Sequence, residues 1–325
     1  MEKRQLGTTD LSVSVIAEGC WPMGGDYWGR TDDEESIRTI HRALELGVNF
    51  FDTAPGYGAG HSEEVVGKAL VGRRQEAIIS TKVPAAPEMI RKSLDVSLKR
   101  LQTDHVEVCF VHWPRRSEPL KGTLETLEQL RQEGLIRAIG VSNFTVDMLE
   151  IGRRYATIDA VQPPYNLLWR FSEDDILPYC RKHQIAVTTY SSLAQGMLTG
   201  TLRLTTAFAG DDQRLRSVLW QSENYGKCLY TVERLRPIAK DLGVSLPQLA
   251  LRWVIDQPGV TTALVGARTP AEIEENVGAV GWEMPEDVRA EVQEISDDLY
   301  LSMPYYFDMW GNWSTWNRRG PQREM

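Results

Sequence analysis

The sequence predicts an α/β fold, one (β/α)8 TIM barrel in which a closed ring of parallel strands is wrapped by helices. Three observations predict it. Short β-branched or apolar runs alternate with longer amphipathic stretches through most of the chain, the pattern of a parallel sheet covered by helices. Eight such runs are found, the strand number of a barrel. The chain of 325 residues exceeds the ~250 that a barrel needs, so it has length for appendages.

In chain order the strand candidates are 14–17, 48–52, 77–82, 106–112, 137–142, 160–162, 186–190 and 262–265. Helical patterns lie at 32–46, 86–101, 117–133, 145–155, 173–183, 230–242 and 245–256. The first opens on an acidic turn and stops at Gly47, and the third stops at Gly134, the punctuation expected of helix ends. Along 86–101, Met89, Ile90, Leu94, Leu98 and Leu101 are expected on one apolar face. Residues 1–13 suit a hairpin closing the barrel bottom, and a Gly-rich polar stretch near 196–227 suits a loop over the top. A tail over 298–325, rich in Trp, Tyr, Gly and Pro, is expected near the active-site rim. No stretch has linker composition, so residues 1–325 are expected to form a single domain.

Composition narrows the function classes. The chain is 42% hydrophobic and 25% charged, ordinary for a globular protein. A formal net charge of -9 without a basic stripe argues against nucleic-acid binding. No apolar run approaches the ~20 residues of a membrane span, and the N-terminal segment lacks a signal-peptide core. The four cysteines, Cys20, Cys109, Cys180 and Cys228, are far apart and form no CxxC. They are expected to be buried thiols in a reducing compartment, not zinc ligands or disulfides. A cytoplasmic protein without a bound metal is expected, its oligomeric state unreadable.

What ends the strands carries the chemistry. Asp52 closes VNFFD, Lys82 closes AIISTK and His112 closes VEVCFVH. Parallel barrel strands all point to one rim, where barrel active sites lie, so an acid, an ammonium and an imidazole should converge there. Tyr57 follows Asp52 in the Gly-rich turn TAPGYGAGHSE and can face the same place. The complete GxGxxG spacing of a dinucleotide fingerprint is absent, so that turn is no such motif.

With these residues in view, the chain resembles the aldo-keto reductase family over nearly its whole length, nearest its bacterial sugar, polyol and aldehyde reductases. NFFDTAPGYG, ISTKV, CFVHWP, IGVSNF, VQPPYN, TTYSSLAQGMLTG and VGARTPAEIEEN stand in the family's order and spacing. The resemblance implies an active NAD(P)H-dependent oxidoreductase that interconverts a carbonyl (aldehyde, ketone or sugar) and its alcohol. The implied catalytic tetrad is Asp52, Tyr57, Lys82 and His112. Tyrosine at its ordinary pKa of about 10 is a sluggish acid and base near neutrality. A neighbouring ammonium at Lys82, held by Asp52, is expected to lower that value. His112 would donate to the substrate oxygen.

The same resemblance assigns the cofactor site. Gly19, Cys20 and Trp21 follow the first strand. Ser142, Asn143 and Gln162 match the holders of the nicotinamide amide, and Tyr190 the ring stacked on it. Ser191, Leu193, Gln195, Gly196 and Leu198 match the loop around the pyrophosphate. Gly266, Ala267, Arg268, Glu272, Glu275 and Asn276 match the adenosine end. Arg268 suits a 2′-phosphate, whereas a carboxylate at Glu272 repels it and accepts from a free ribose hydroxyl. NADP is the expected cofactor, with NAD the alternative.

Trp21, Trp28, Trp113, Tyr165 and Trp169 are substrate-pocket candidates, with ordinary core packing the competing role. Trp310, Trp313 and Trp316 either pack the tail onto the barrel or cap the pocket. Arg115 and Arg116 either decorate the surface or favour an anionic or richly hydroxylated substrate. Two other functions fit the fold: a cofactor-binding regulatory subunit of a membrane channel, and a lyase using Lys82 as a Schiff-base nucleophile.

Overall fold

The computed structural model describes residues 1–26, 29, 31–115, 119–208, 210, 212–303 and 308–310. Two antiparallel strands come first, β1 (Lys3–Gln5) and β2 (Ser12–Ser14). Eight more follow: β3 (Ile16–Gly19), β4 (Phe50–Asp52), β5 (Ile78–Val83), β6 (Val106–Val111), β7 (Ile136–Ser142), β8 (Ala160–Gln162), β9 (Ala186–Thr189) and β10 (Val260–Val265). These eight pair in parallel in chain order, and β10 returns to β3 to close the barrel. The (β/α)8 expectation holds.

The helices are α1 (Asp33–Glu45), α2 (His61–Ala69), α3 (Pro87–Leu101), α4 (Leu120–Gln132), α5 (Val146–Gly152), α6 (Ile176–His183), α7 (Ser222–Asp241), α8 (Leu246–Asp256), α9 (Pro270–Val277) and α10 (Glu286–Ser302). Local chemistry starts and stops them. The Asp32 side chain accepts the Glu35 N–H at 2.8 Å to cap α1, and the chain leaves at Gly47 with φ 84°. Ser245 and Gln248 form a reciprocal capping box on α8, satisfying two otherwise orphaned amides.

Several elements differ from expectation. α2, α9 and α10 were not anticipated, being short or weakly patterned. α7 begins at Ser222, eight residues before the apolar pattern, because Gly226 masks the start of a helix that tertiary packing sustains. On α3, Ile90, Leu94, Leu98 and Leu101 are buried but Met89 is 55% exposed. One residue is about 100° of helix, enough to turn Met89 to solvent.

The core has two layers. Between sheet and helices lies a large apolar shell. Inside the barrel, Phe50, Val108 and Phe110 share the space with Ala17, Ala138, Ala160, Ala186 and Leu264. Small and large side chains alternate there: a Cβ on Gly140 would lie 2.3 Å from the Phe110 ring. Leu6, Leu11 and Val13 of the hairpin belong to the same inner cluster, and Arg4 Nη1 donates to the carbonyls of Ile255 (2.6 Å) and Val260 (2.8 Å). The hairpin thereby closes the amino-terminal end and leaves the carboxyl rim open.

Candidate active site

Asp52 is the last residue of β4, Lys82 lies one residue before the end of β5, and His112 is the first residue past β6. The barrel brings all three to the open rim. Lys82 is buried, and its Nζ donates to Asp52 Oδ2 at 2.6 Å, to the Thr53 carbonyl at 3.0 Å and to Tyr57 Oη at 3.0 Å. Asp52 Oδ1 accepts from Ser80 Oγ at 2.7 Å and from Gln162 Nε2 at 3.1 Å. A buried ion pair persists only with such further hydrogen bonds. Ser80 was not anticipated. Its signal was available, because residues two apart on a strand share a face, so Ser80 accompanies Lys82.

Two glycines position Tyr57. It opens a tight turn in which Gly58 has φ 59°, Ala59 φ 53° and Gly60 φ 99°. The Gly58 backbone lies so close to Gly24 that a Cβ there would sit 2.0 Å from the Gly24 carbonyl oxygen. This back-to-back contact holds the phenol over Lys82. Trp21 stacks on the Tyr57 ring at 5.5 Å, with 20° between the planes, and the His112 ring meets Tyr57 edge-on at 6.0 Å.

Electrostatics correct one expectation. Burial pushes the Tyr57 phenol above its ordinary value. Lys82 pulls it back only in part, and Asp52 pushes it further up. The expected net lowering is not found, because removing a phenolate from water costs more than one ammonium returns when a carboxylate already shares that charge. Burial pulls Lys82 down, but Asp52 and then Tyr57 more than offset this, so it stays above its ordinary value. Burial, followed by the charge of Lys82, drives the His112 imidazole down to about 3. Phenol and ammonium therefore keep their protons at neutral pH, and the imidazole is neutral.

A cleft of about 1080 Å³ opens from this cluster, roughly the upper limit of the ~300–1,000 Å³ usual for small-molecule sites. Its walls include Gly19, Trp21, Asp52, Tyr57, His112, Trp113, Ser142, Asn143, Gln162, Tyr190, Ser191, Leu193, Gln195 and Gly196. Gly266, Arg268, Glu272, Glu275 and Asn276 also line it. Cys20, Leu198 and Ala267 do not; their side chains are fully buried. Asn143, with φ 62°, donates to the His112 carbonyl at 3.1 Å and accepts from Tyr190 Oη at 3.0 Å. This ties the imidazole strand to the aromatic wall.

A nicotinamide dinucleotide fits these residues. Ser191, Ala194, Gln195 and Gly196 have left-handed backbone, which turns amides outward to make anion-binding concavities. A Cβ on Gly196 would meet nothing within 4 Å, leaving open space beside the loop. Gln195 Nε2 is buried without a hydrogen-bond partner among the described residues. Farther along, α9 starts under a Thr269 cap, and a helix N-terminus favours anions. Glu272 Oε2 accepts from the Arg268 N–H at 2.7 Å, and its Oε1 lies 3.4 Å from the Arg268 guanidinium. Glu18 was not anticipated. It is fully buried, accepts the Ala267 N–H at 2.9 Å, and is pushed well above the carboxylate range, first by burial.

The substrate candidates divide. Trp21 and Trp113 line the cleft, and Trp310 joins them, edge-on to Trp21 at 5.9 Å. Tyr165 and Trp169 do not. Tyr165 stacks on Trp253 and donates to Glu173, Trp169 packs against Phe171, and both are fully buried. They follow β8 on the helix side of the wall, so core packing is their role. Arg115 is exposed and does not line the cleft. Trp28, Arg116, Trp313 and Trp316 lie outside the described residues. Gln213, Arg214, Arg216 and Pro247 also line the cleft. Sequence missed the first three because the loop before α7 carries no periodicity; Pro247 sits in the first turn of α8.

Fold and site together define a class, enzymes that carry out proton chemistry at the carboxyl rim of a parallel eight-stranded barrel. Residues 15–297 match the model of the Aldo/keto reductase family, and the chain belongs to that family. It is an NAD(P)-dependent oxidoreductase of carbonyl–alcohol pairs. It is 38% identical to the aldo-keto reductase YhdN of Bacillus subtilis, over 92% of this chain and 94% of that one. It is 33% identical to the NADH-specific methylglyoxal reductase of Escherichia coli, over 92% and 99%. Among solved structures, the glycerol dehydrogenase AKR11B4 of Gluconobacter oxydans superposes with a TM-score of 0.85 at 36% identity, covering 94% and 97% of the two chains. A probable voltage-gated potassium channel subunit beta of Arabidopsis thaliana is also similar, at 32% over 86% of this chain. That is weaker than the similarity to the two bacterial enzymes, so the oxidoreductase function is favoured over the channel-subunit alternative. Among the described residues, no helix is long and apolar enough to cross a membrane.

Proposed function

We propose that the chain reduces small aldehydes or ketones, sugars included, with Tyr57 as the proton donor, and that the reverse oxidation uses the same residues. The observation that carries this reading is the 3.0 Å contact from Lys82 Nζ to Tyr57 Oη, with Lys82 itself held by Asp52 at 2.6 Å.

A bound nicotinamide would supply the hydride to the carbonyl carbon, or take it up in the reverse direction. The protein must manage the oxygen. Tyr57 gives its phenolic proton to the developing alkoxide, and Lys82 stabilises the phenolate left behind. Asp52, Ser80 and Gln162 hold Lys82 and its counter-charge in place. A neutral His112 carries one N–H and orients the substrate oxygen. Trp21, Trp113 and Trp310 form an apolar wall that keeps water from the phenol. A lyase route through Lys82 is disfavoured, because an ammonium held above its ordinary pKa is a poor nucleophile.

Ser142, Asn143, Gln162 and Tyr190 would hold the nicotinamide end, and Arg268, Glu272, Glu275 and Asn276 the adenosine end. Sequence favoured NADP. The geometry at Glu272 favours NAD, because its carboxylate engages both the amide and the guanidinium of Arg268, the cation that a 2′-phosphate would need. Removing that charge in Glu272→Gln should raise the ratio of kcat/KM for NADPH over NADH by about tenfold. An unchanged ratio would count against the assignment.

The direct test is Tyr57→Phe, assayed by NAD(P)H absorbance on a panel of methylglyoxal, glyceraldehyde and 4-nitrobenzaldehyde. Turnover should fall at least about a thousandfold, with nucleotide binding retained. Undiminished turnover would refute the role.

A further inference from the structure

The loop after β9 meets the segment entering α7 through one buried side-chain hydrogen bond. Trp220 Nε1 donates to Gln195 Oε1 at 3.1 Å. Trp220 is held from both sides: it stacks on Tyr225 at 5.3 Å and takes the edge of Phe208 at 5.0 Å. Gln195 sits in left-handed backbone, φ 56°. Its main chain and its amide are both constrained.

An indole N–H can only donate. Were the amide reversed, its NH2 would face the indole N–H, donor against donor. Trp220 therefore decides which end of the amide is turned away from it, and that end is the NH2. Gln195 lines the cleft, and its Nε2 is more than nine-tenths buried without an acceptor among the described residues. Leaving a buried donor unmet is costly, which points to an acceptor arriving with a ligand.

We propose that Trp220 is a positioning residue for the cofactor: it latches the Gln195 amide so that Nε2 offers a preset hydrogen bond to a pyrophosphate oxygen of the dinucleotide. This rests on reading the cleft as the dinucleotide site. The donor is oriented before binding, so rotamer entropy is not lost at that step. A neutral tryptophan more than twenty residues from the loop thereby sets part of the nucleotide affinity without touching the nucleotide.

The test is the Kd for NADH and NADPH, measured by calorimetry on the wild type, Gln195→Glu, Gln195→Ala, Trp220→Phe and the double variant Q195A/W220F. Gln195→Glu keeps an acceptor for Trp220 and replaces only the groove-facing donor with an anionic oxygen. It should raise Kd at least about tenfold. Trp220→Phe should raise Kd roughly three- to tenfold when Gln195 is present, and no further in the Gln195→Ala background, since coupled residues are not additive. An equal effect of Trp220→Phe in both backgrounds would mean that Trp220 only packs the loop, and would overturn the latch. So would a Gln195→Glu variant that binds as tightly as wild type, a result that stands even if Trp220→Phe fails to fold. A wild-type protein that binds neither nucleotide would sink the cofactor reading and the latch together, whereas the other two failures leave that reading intact.

Discussion

Lys82 carries a charge into a place with almost no solvent. Its stem is enclosed by the barrel and its ammonium meets a carboxylate, a carbonyl and a phenol. In the proposed mechanism the phenol is the proton donor, and its environment sets its pH behaviour. Burial holds Tyr57 above its ordinary value despite Lys82, so it stays protonated as pH rises through neutrality. His112, driven down to about 3 by burial and then by Lys82, does not change charge in that window. With the donor form intact and the imidazole silent, kcat for carbonyl reduction should be level from about pH 6 to pH 9 and fall only above tyrosine's ordinary value of about 10. A stopped-flow pH profile of the hydride-transfer phase checks this. A break near pH 7 would show that a different group supplies the proton.

At the scale of elements, strand ends deliver the charged residues and one glycine contact delivers the phenol. β5 and β6 end level at Val83 and Val111, and β4 ends beside Ser80, two residues before Lys82, so Asp52, Lys82 and His112 reach one rim without any special loop. Tyr57 depends instead on the Gly24–Gly58 approach. Gly58→Ala puts a Cβ 2.0 Å from a carbonyl oxygen at φ 59°, so the turn must move. The cost should be about 2–4 kcal/mol of stability, read by urea denaturation. In the folded fraction kcat should drop with nucleotide Kd unchanged, because the phenol is displaced and the loops after β9 and β10 are not. At the other end of the cleft, buried Glu18 props the Ala267 amide. Its sequence neighbours, apolar or glycine, gave no hint of an acid facing inward.

At the scale of the whole molecule, the two ends of the barrel have separate duties. The hairpin of β1 and β2 plugs the amino-terminal end with Leu6, Leu11 and Val13, and the candidate active-site cleft opens at the carboxyl end. Leu6→Ala should destabilise the protein by about 2–5 kcal/mol, the usual cost of truncating a buried leucine, while KM stays within about twofold of wild type. A large change in KM with stability retained would mean that the two ends are coupled. α10 crosses back over the wall, and Arg170 pairs with Glu173 and with Asp297 of that helix. This anchors the chain shortly before Trp310 reaches the cleft.

The barrel was legible because strand ends and helix faces are local patterns of apolar residues and caps, with a period that backbone geometry sets and residue order displays. The meeting of Asp52, Lys82 and His112 at one rim was legible because parallel topology turns consecutive strand ends into spatial neighbours. Contacts made across the fold were not legible. Nothing near Tyr165 or Trp169 in the chain says that they face the helices and not the cleft, and nothing near Ser80, Gln195 or Trp220 names its partner. The acidity of Tyr57 was misjudged from sequence for the same reason: its sign depends on how much water burial removes, and burial is a property of the closed barrel. Chain order decided which chemical groups reach the rim. Three-dimensional packing decided which of them touch, how dry they are, and therefore where their protons reside.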